Sequence, residues 1–99
     1  SLSGLENITS VGGNLSITNN VNLTSLGGLE NITVLGENLY IGIGTYNNNV
    51  ANNSLTNLCA ISQLIINGQI DQNEYFVKYN AYNPTYEQIK INGSGGCEK

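Results

Sequence analysis

The stretch SLSGLENITSVGGNLSITNN, residues 1–20, is written a second time 24 positions later as SLGGLENITVLGENLYIGIG. Over the first 17 aligned pairs, 12 are identical, from Ser1/Ser25 and Leu2/Leu26 through Gly12/Gly36, Asn14/Asn38, Leu15/Leu39 and Ile17/Ile41. A period between 20 and 29 residues with regular Leu and Ile predicts coils that stack on one another, because a single coil cannot bury its own leucines.

The apolar positions of the first coil, Leu2, Leu5, Ile8, Val11, Leu15, Ile17, Leu23 and Leu26, recur mostly at steps of three. That spacing drifts around an α-helix, and Gly12, Gly13, Gly27, Gly28 and the many Asn would break one. It suits a coil that turns corners and points one side chain inward at each step. Leu15-Ser16-Ile17 and Leu39-Tyr40-Ile41 alternate as short strands should, so Tyr40 is expected beside Ser16 on the outer face, about 4.8 Å away. The period then fails. Leu15 to Leu23 spans eight residues, but Leu39 to its counterpart Leu55 spans sixteen, which marks residues 42–54 as an inserted loop. Insertions in repeat proteins fall on one face, often the binding face.

From Leu55 the character changes. Leu58, Ile61, Leu64 and Ile65 followed by Asn67-Gly68 predict a helix over residues 57–67. Residues 74–80, EYFVKYN, are β-prone, and the stretch before them is expected to pair with them as a hairpin. Asn83 as N-cap, Pro84 at the first helical position and Gly93 as stop predict a second helix over 84–91. The organisation expected is therefore coils over 1–58 with the 42–54 insertion, and a mixed C-terminal cap over 59–99 packed on them as one domain. Ser1-Leu2 begins in the phase of Ser25-Leu26, which leaves the first coil uncapped. This predicts a C-terminal piece of a longer array, or self-association through the open N-terminal coil.

Charge narrows the function. Net charge is −4, with three Lys and no Arg, so phosphate neutralisation is poorly served and neither nucleic acid nor an anionic membrane surface is an expected partner. No apolar run approaches the ~20 residues of a membrane span. The chain has no His, which excludes Ser-His-Asp and Cys-His catalysis and leaves too few ligands for zinc. Its two cysteines, Cys59 and Cys97, form either one disulfide or two unpaired thiols. Their place in the cap favours the disulfide, hence an extracellular or cell-surface location. In the loop-entropy account such a bridge stabilises by roughly 4 kcal/mol.

The unit GLENIT-x-x-G-x-NL-x-I resembles the receptor L-domain-like leucine-rich repeats of secreted bacterial surface proteins. The tail LTNLCAISQLIINGQ…YFVKYNAYNPTYEQIKINGSGGC looks like the C-terminal cap of that group, whose paired cysteines are expected to be bridged. The resemblance implies a leucine-rich-repeat-like right-handed β-solenoid of short parallel strands, of about two 24-residue coils plus a partial third. It implies a secreted or surface location and a role in recognition or adhesion, and it carries no catalytic residues. The insertion at 42–54 departs from the pattern.

Candidate chemistry is sparse. Glu6 and Glu30 are repeat-equivalent and expected about 5 Å apart, near the separation in retaining glycosidases. Nothing else reads as a substrate cleft, so they are expected to be solvated side chains. Six Asn-x-Ser/Thr sites, at Asn7, Asn14, Asn22, Asn31, Asn52 and Asn92, are expected to satisfy backbone groups at the turns. Tyr75, Tyr79, Tyr82 and Tyr86 are assigned to packing in the cap. Tyr40 and Ser16 on the strand face, with Tyr46, Asn47, Asn48 and Asn49 in the inserted loop, form the candidate ligand-binding set. The function expected is a non-catalytic extracellular module that binds or adheres to a protein or glycan, with no cofactor and no metal. The alternative is a purely structural cap or stalk segment.

Overall fold

The computed structural model describes residues 4–42, 52 and 54–99. Among these residues five short strands and two helices follow in the order β1 (Ser10–Val11), β2 (Leu15–Ile17), β3 (Val34–Leu35), β4 (Leu39–Ile41), α1 (Ser62–Ile66), β5 (Tyr75–Val77) and α2 (Tyr86–Asn92). Single 3-10 turns occupy Cys59–Ile61, Gln72–Glu74 and Gly93–Gly95. The sheets are parallel: β1 pairs with β3, and β2, β4 and β5 lie side by side in that order.

The sequence repeat sets the register. Ser10 lies on Val34, Leu15 on Leu39, Ser16 on Tyr40 and Ile17 on Ile41, each pair 24 residues apart. The motif residues maintain this step locally. Gly4 and Gly28 adopt φ of +99° and +113°, where any other residue would be strained. The carboxylates two residues on, Glu6 and Glu30, accept hydrogen bonds from the Gly4 and Gly28 amides at 2.6 Å each. Asn31 donates through Nδ2 to the Glu6 carbonyl at 2.7 Å, and Asn14 Oδ1 accepts from the Asn38 amide at 2.8 Å. The Asn-rich turns thus pair backbone groups of one repeat with the other.

The expectation of a β-solenoid is overturned. The 24-residue step occurs once in each sheet, and no solenoid of repeated coils is evident among the described residues. The strand next to β4 is β5, displaced by 36 residues and drawn from the C-terminal segment (Leu39 on Tyr75, Ile41 on Val77). The body measures 29 × 26 × 25 Å, nearly the same in all three directions. Two repeats fix only one stacking step, and the C-terminal half supplies the next strand and the rest of the core. Leu26, Leu29, Ile32, Leu39 and Ile41 of the repeats are fully buried against Leu55, Leu58, Ile61, Leu64, Ile65, Ile70 and Ile89. Each such side chain contributes roughly 1.5–3 kcal/mol by leaving water. Two short parallel sheets and two helices around one core are the architecture.

The C-terminal elements differ from expectation in three places. The helix predicted over 57–67 is a 3-10 turn from Cys59 that continues as α1 and stops at Asn67 and Gly68, the latter at φ +73°. The predicted hairpin does not form. Asp71 and Glu74 cap the Gln72–Glu74 turn reciprocally, which leaves no strand before β5, and β5 joins β4 instead. The N-cap of α2 is Thr85 rather than Asn83. Thr85 Oγ1 accepts from the Gln88 amide at 3.1 Å while Gln88 Oε1 accepts from the Thr85 amide at 2.7 Å. Asn83 is already committed to a turn, accepting from the Asn80 amide and donating to its carbonyl, both at 2.9 Å.

A disulfide joins Cys59 to Cys97 across a sequence separation of 38, with Cα atoms 4.8 Å apart. It fastens the chain end beside the start of the 3-10 turn, where the Leu58 amide donates to the Cys97 carbonyl at 2.8 Å. A disulfide is consistent with an extracellular location. Among the described residues no helix is long and apolar enough to cross a membrane. The other end of the core is open. Leu5 and Ile8 are 36% and 38% exposed, whereas their repeat equivalents Leu29 and Ile32 are 2% and 1% exposed.

Candidate functional site

In β2, β4 and β5 the first and third residues turn toward the core and the middle one turns out. The parallel register therefore lines up Ser16, Tyr40 and Phe76 as one outward row across three strands. Tyr40 and Phe76 stack, with ring centroids 5.1 Å apart and planes 14° from parallel. Asn38 donates through Nδ2 to the Tyr40 hydroxyl at 3.0 Å, which holds the ring against rotation out of the row. Ser16 is exposed and too short to cover the ring face of Tyr40 on its side. The row is an aromatic surface with a polar flank.

Past Phe76 the surface dips into an open depression of about 260 Å³. Phe76 and Val77 of β5, with Lys78 just after the strand, form one wall, and Asn83, Pro84, Thr85 and Tyr86 form the other. Phe76 thus belongs to both the aromatic row and the depression. Hydrogen bonds fix the far wall. The Tyr75 hydroxyl donates to the Pro84 carbonyl at 2.6 Å, and Tyr86 meets Tyr75 edge-on with centroids 5.9 Å apart. The Tyr86 hydroxyl donates in turn to the Ile70 carbonyl at 3.0 Å. Burial, with Tyr82 nearby, pushes the Tyr75 phenol above the ordinary tyrosine range, so it stays a neutral donor.

Below the strands lies a network of amides. Asn52 is fully buried; its Nδ2 donates to the Ile17 carbonyl and to Asn80 Oδ1, each at 2.9 Å, and its Oδ1 accepts from the Asn20 amide at 2.8 Å. Asn80 Nδ2 donates to the Ile41 carbonyl at 3.1 Å. These two side chains give a second donor to the last carbonyls of β2 and β4, which also accept from the Gly42 and Lys78 amides, and Gly42 must stay small there, because an added Cβ would meet the Lys78 carbonyl at 2.1 Å. Asn52 is therefore internal.

Of the residues expected to form a site, Ser16 and Tyr40 are brought together on adjacent strands. Tyr46, Asn47, Asn48 and Asn49 lie outside the described residues. Glu6 and Glu30 cap their own turns, and the amides of Glu30 and Gly28 hold the Glu30 carboxyl below the usual carboxylate range. Packing accounts for Tyr75, Tyr82 and Tyr86 but not for Tyr79, which is 45% exposed at φ +65°. Phe76 was not singled out by the sequence reading. The signal was the alternation of Tyr75-Phe76-Val77, which becomes informative only once β5 is set beside β4.

No family model, curated protein or solved structure matches this chain.

Proposed function

We propose that the chain is a non-catalytic extracellular binding module that recognises a glycan through the Ser16–Tyr40–Phe76 face. The observation that carries this reading is the Tyr40–Phe76 stack, half-buried on the outer face and anchored by Asn38. A sugar ring has an apolar C–H face and a rim of hydroxyls. A rigid aromatic surface beside amides and a hydroxyl offers contact to both, at little entropic cost because the rings are already held. The surface leads into a depression rather than a flat plane, and concave sites with a few placed polar groups are where small ligands bind. The disulfide accords with a protein that meets its partner outside the cell.

The alternative, a structural segment within a larger assembly, is favoured by one observation: Leu5 and Ile8 leave an apolar edge uncovered. An array of neutral and acidic oligosaccharides, probed with the wild type and with Tyr40→Ala and Phe76→Ala, discriminates the two. A saturable signal lost in both variants is expected. Retention of the signal in both, or silence across the array, overturns the glycan reading.

A further inference from the structure

We propose that the depression beyond Phe76 is a subsite for a carboxylated sugar, with Phe76 and Pro84 as its apolar walls and Lys78 as the counter-ion of the carboxylate. The inference rests on the glycan reading and adds a ligand class to it.

The volume sets the size of the occupant. About 260 Å³ lies just below the roughly 300–1,000 Å³ typical of drug-sized ligands, which suits one ring rather than a chain. The walls are dissimilar. Phe76 is half-buried on one side, Pro84 is buried on the other, and Tyr86 is held in place by its bond to the Ile70 carbonyl. An apolar slot between two fixed walls accepts a flat, partly apolar ring. Polar groups stand at its margin: the exposed side chains of Gln72, Thr85 and Lys78.

Lys78 supplies the discrimination. It directly follows Val77, the last residue of β5, is exposed, and lines the depression together with Phe76. The chain has three lysines and no arginine. Lys90 is engaged elsewhere, donating through Nζ to the Ile65 carbonyl at the end of α1 at 3.0 Å. Lys99 is in the terminal segment, where its amide donates to the Thr56 carbonyl. Lys78 is therefore the cation that lines the depression in a protein of net charge −4. A single ammonium matches one carboxylate. A phosphate or sulfate ester is commonly gripped by guanidinium groups, and this chain has none. The apolar slot favours a sugar acid over a small free carboxylate, since only the former fills it.

Titration calorimetry with galacturonate, glucuronate and mannuronate tetramers, each beside its carboxyl-reduced neutral counterpart, tests the proposal. The acidic form of at least one sugar is expected to bind about tenfold more tightly than the neutral form. Lys78→Met should abolish that preference without weakening neutral binding, and the side chain is exposed, so the fold should be undisturbed. Raising salt should erode the wild-type preference and leave the variant unchanged. Equal affinity for acidic and neutral forms, or a preference that survives Lys78→Met, overturns this proposal and leaves the Tyr40–Phe76 reading standing. Absence of binding by every tetramer, acidic and neutral, overturns both.

Discussion

Leu5 and Leu29 stand at the same place in the two copies of the repeat, so truncating each measures the fold's asymmetry directly. Leu29 is 2% exposed and enclosed by the core, and Leu29→Ala should cost about 3–4 kcal/mol, the lost transfer energy plus the cavity left behind. Leu5 retains 36% of its exposure and lies at an edge that can close over a smaller side chain. Scaling the transfer of about three methylene equivalents by the buried two-thirds gives about 1.5 kcal/mol, with no cavity to add. The expected difference is about 2 kcal/mol. Urea unfolding of both variants under oxidising conditions reads it. With a slope of about 1 kcal/mol per molar, the midpoints should lie roughly 2 M apart with unchanged slopes. Costs equal within about 0.5 kcal/mol would refute the reasoning, because Leu5 would then be as enclosed in solution as Leu29.

Gly12 and Gly36 make a second matched pair. A Cβ on Gly36 would meet the Gly12 carbonyl at 2.3 Å, whereas one on Gly12 meets nothing within 4 Å. Gly36→Ala should therefore destabilise by about 2 kcal/mol or more and Gly12→Ala by less than about 0.5, measured by thermal melts. Asn52→Ala strands the Asn20 amide and Asn80 Oδ1, and it leaves the Ile17 carbonyl with only its bond from the Gly42 amide. It should cost about 3 kcal/mol by chemical denaturation, while Asn14→Ala, on the exposed turn, should cost about 1 or less. The Glu30 carboxyl is held below its unfolded range by backbone amides, so its contribution is present above the unfolded pKa and is lost as pH falls through the folded one. Stability followed from pH 7 to pH 2 should therefore fall less steeply in Glu30→Gln than in the wild type.

How far the sequence could be read follows from what kind of information each residue carries. A repeat of 24 residues specifies which positions are neighbours, and Ser16 beside Tyr40 follows from it directly. It does not specify how many times the step recurs. Two copies define one step, and β5, which carries no repeat motif and lies at an offset of 36, takes the next position in the sheet. Its β-propensity was legible in Tyr75-Phe76-Val77, but propensity says nothing about which strand a segment will join. The expected hairpin failed because Asp71 and Glu74 close a turn on each other, a reciprocal arrangement that competes with strand pairing. The N-cap at Thr85 was hidden by Asn83, a residue equally fit for capping but drawn into the turn with Asn80. Phe76 as a partner of Tyr40, and with it the wall of the depression, depended on that one unread pairing.

Chemical-shift mapping with the oligosaccharide that binds most tightly in the array tests the central claim most directly. The account predicts that the largest perturbations fall on Ser16, Tyr40, Phe76 and the Asn38 side-chain amide, and continue to Lys78 for an acidic sugar. Saturable perturbations confined to another surface, with these residues unmoved, would contradict it.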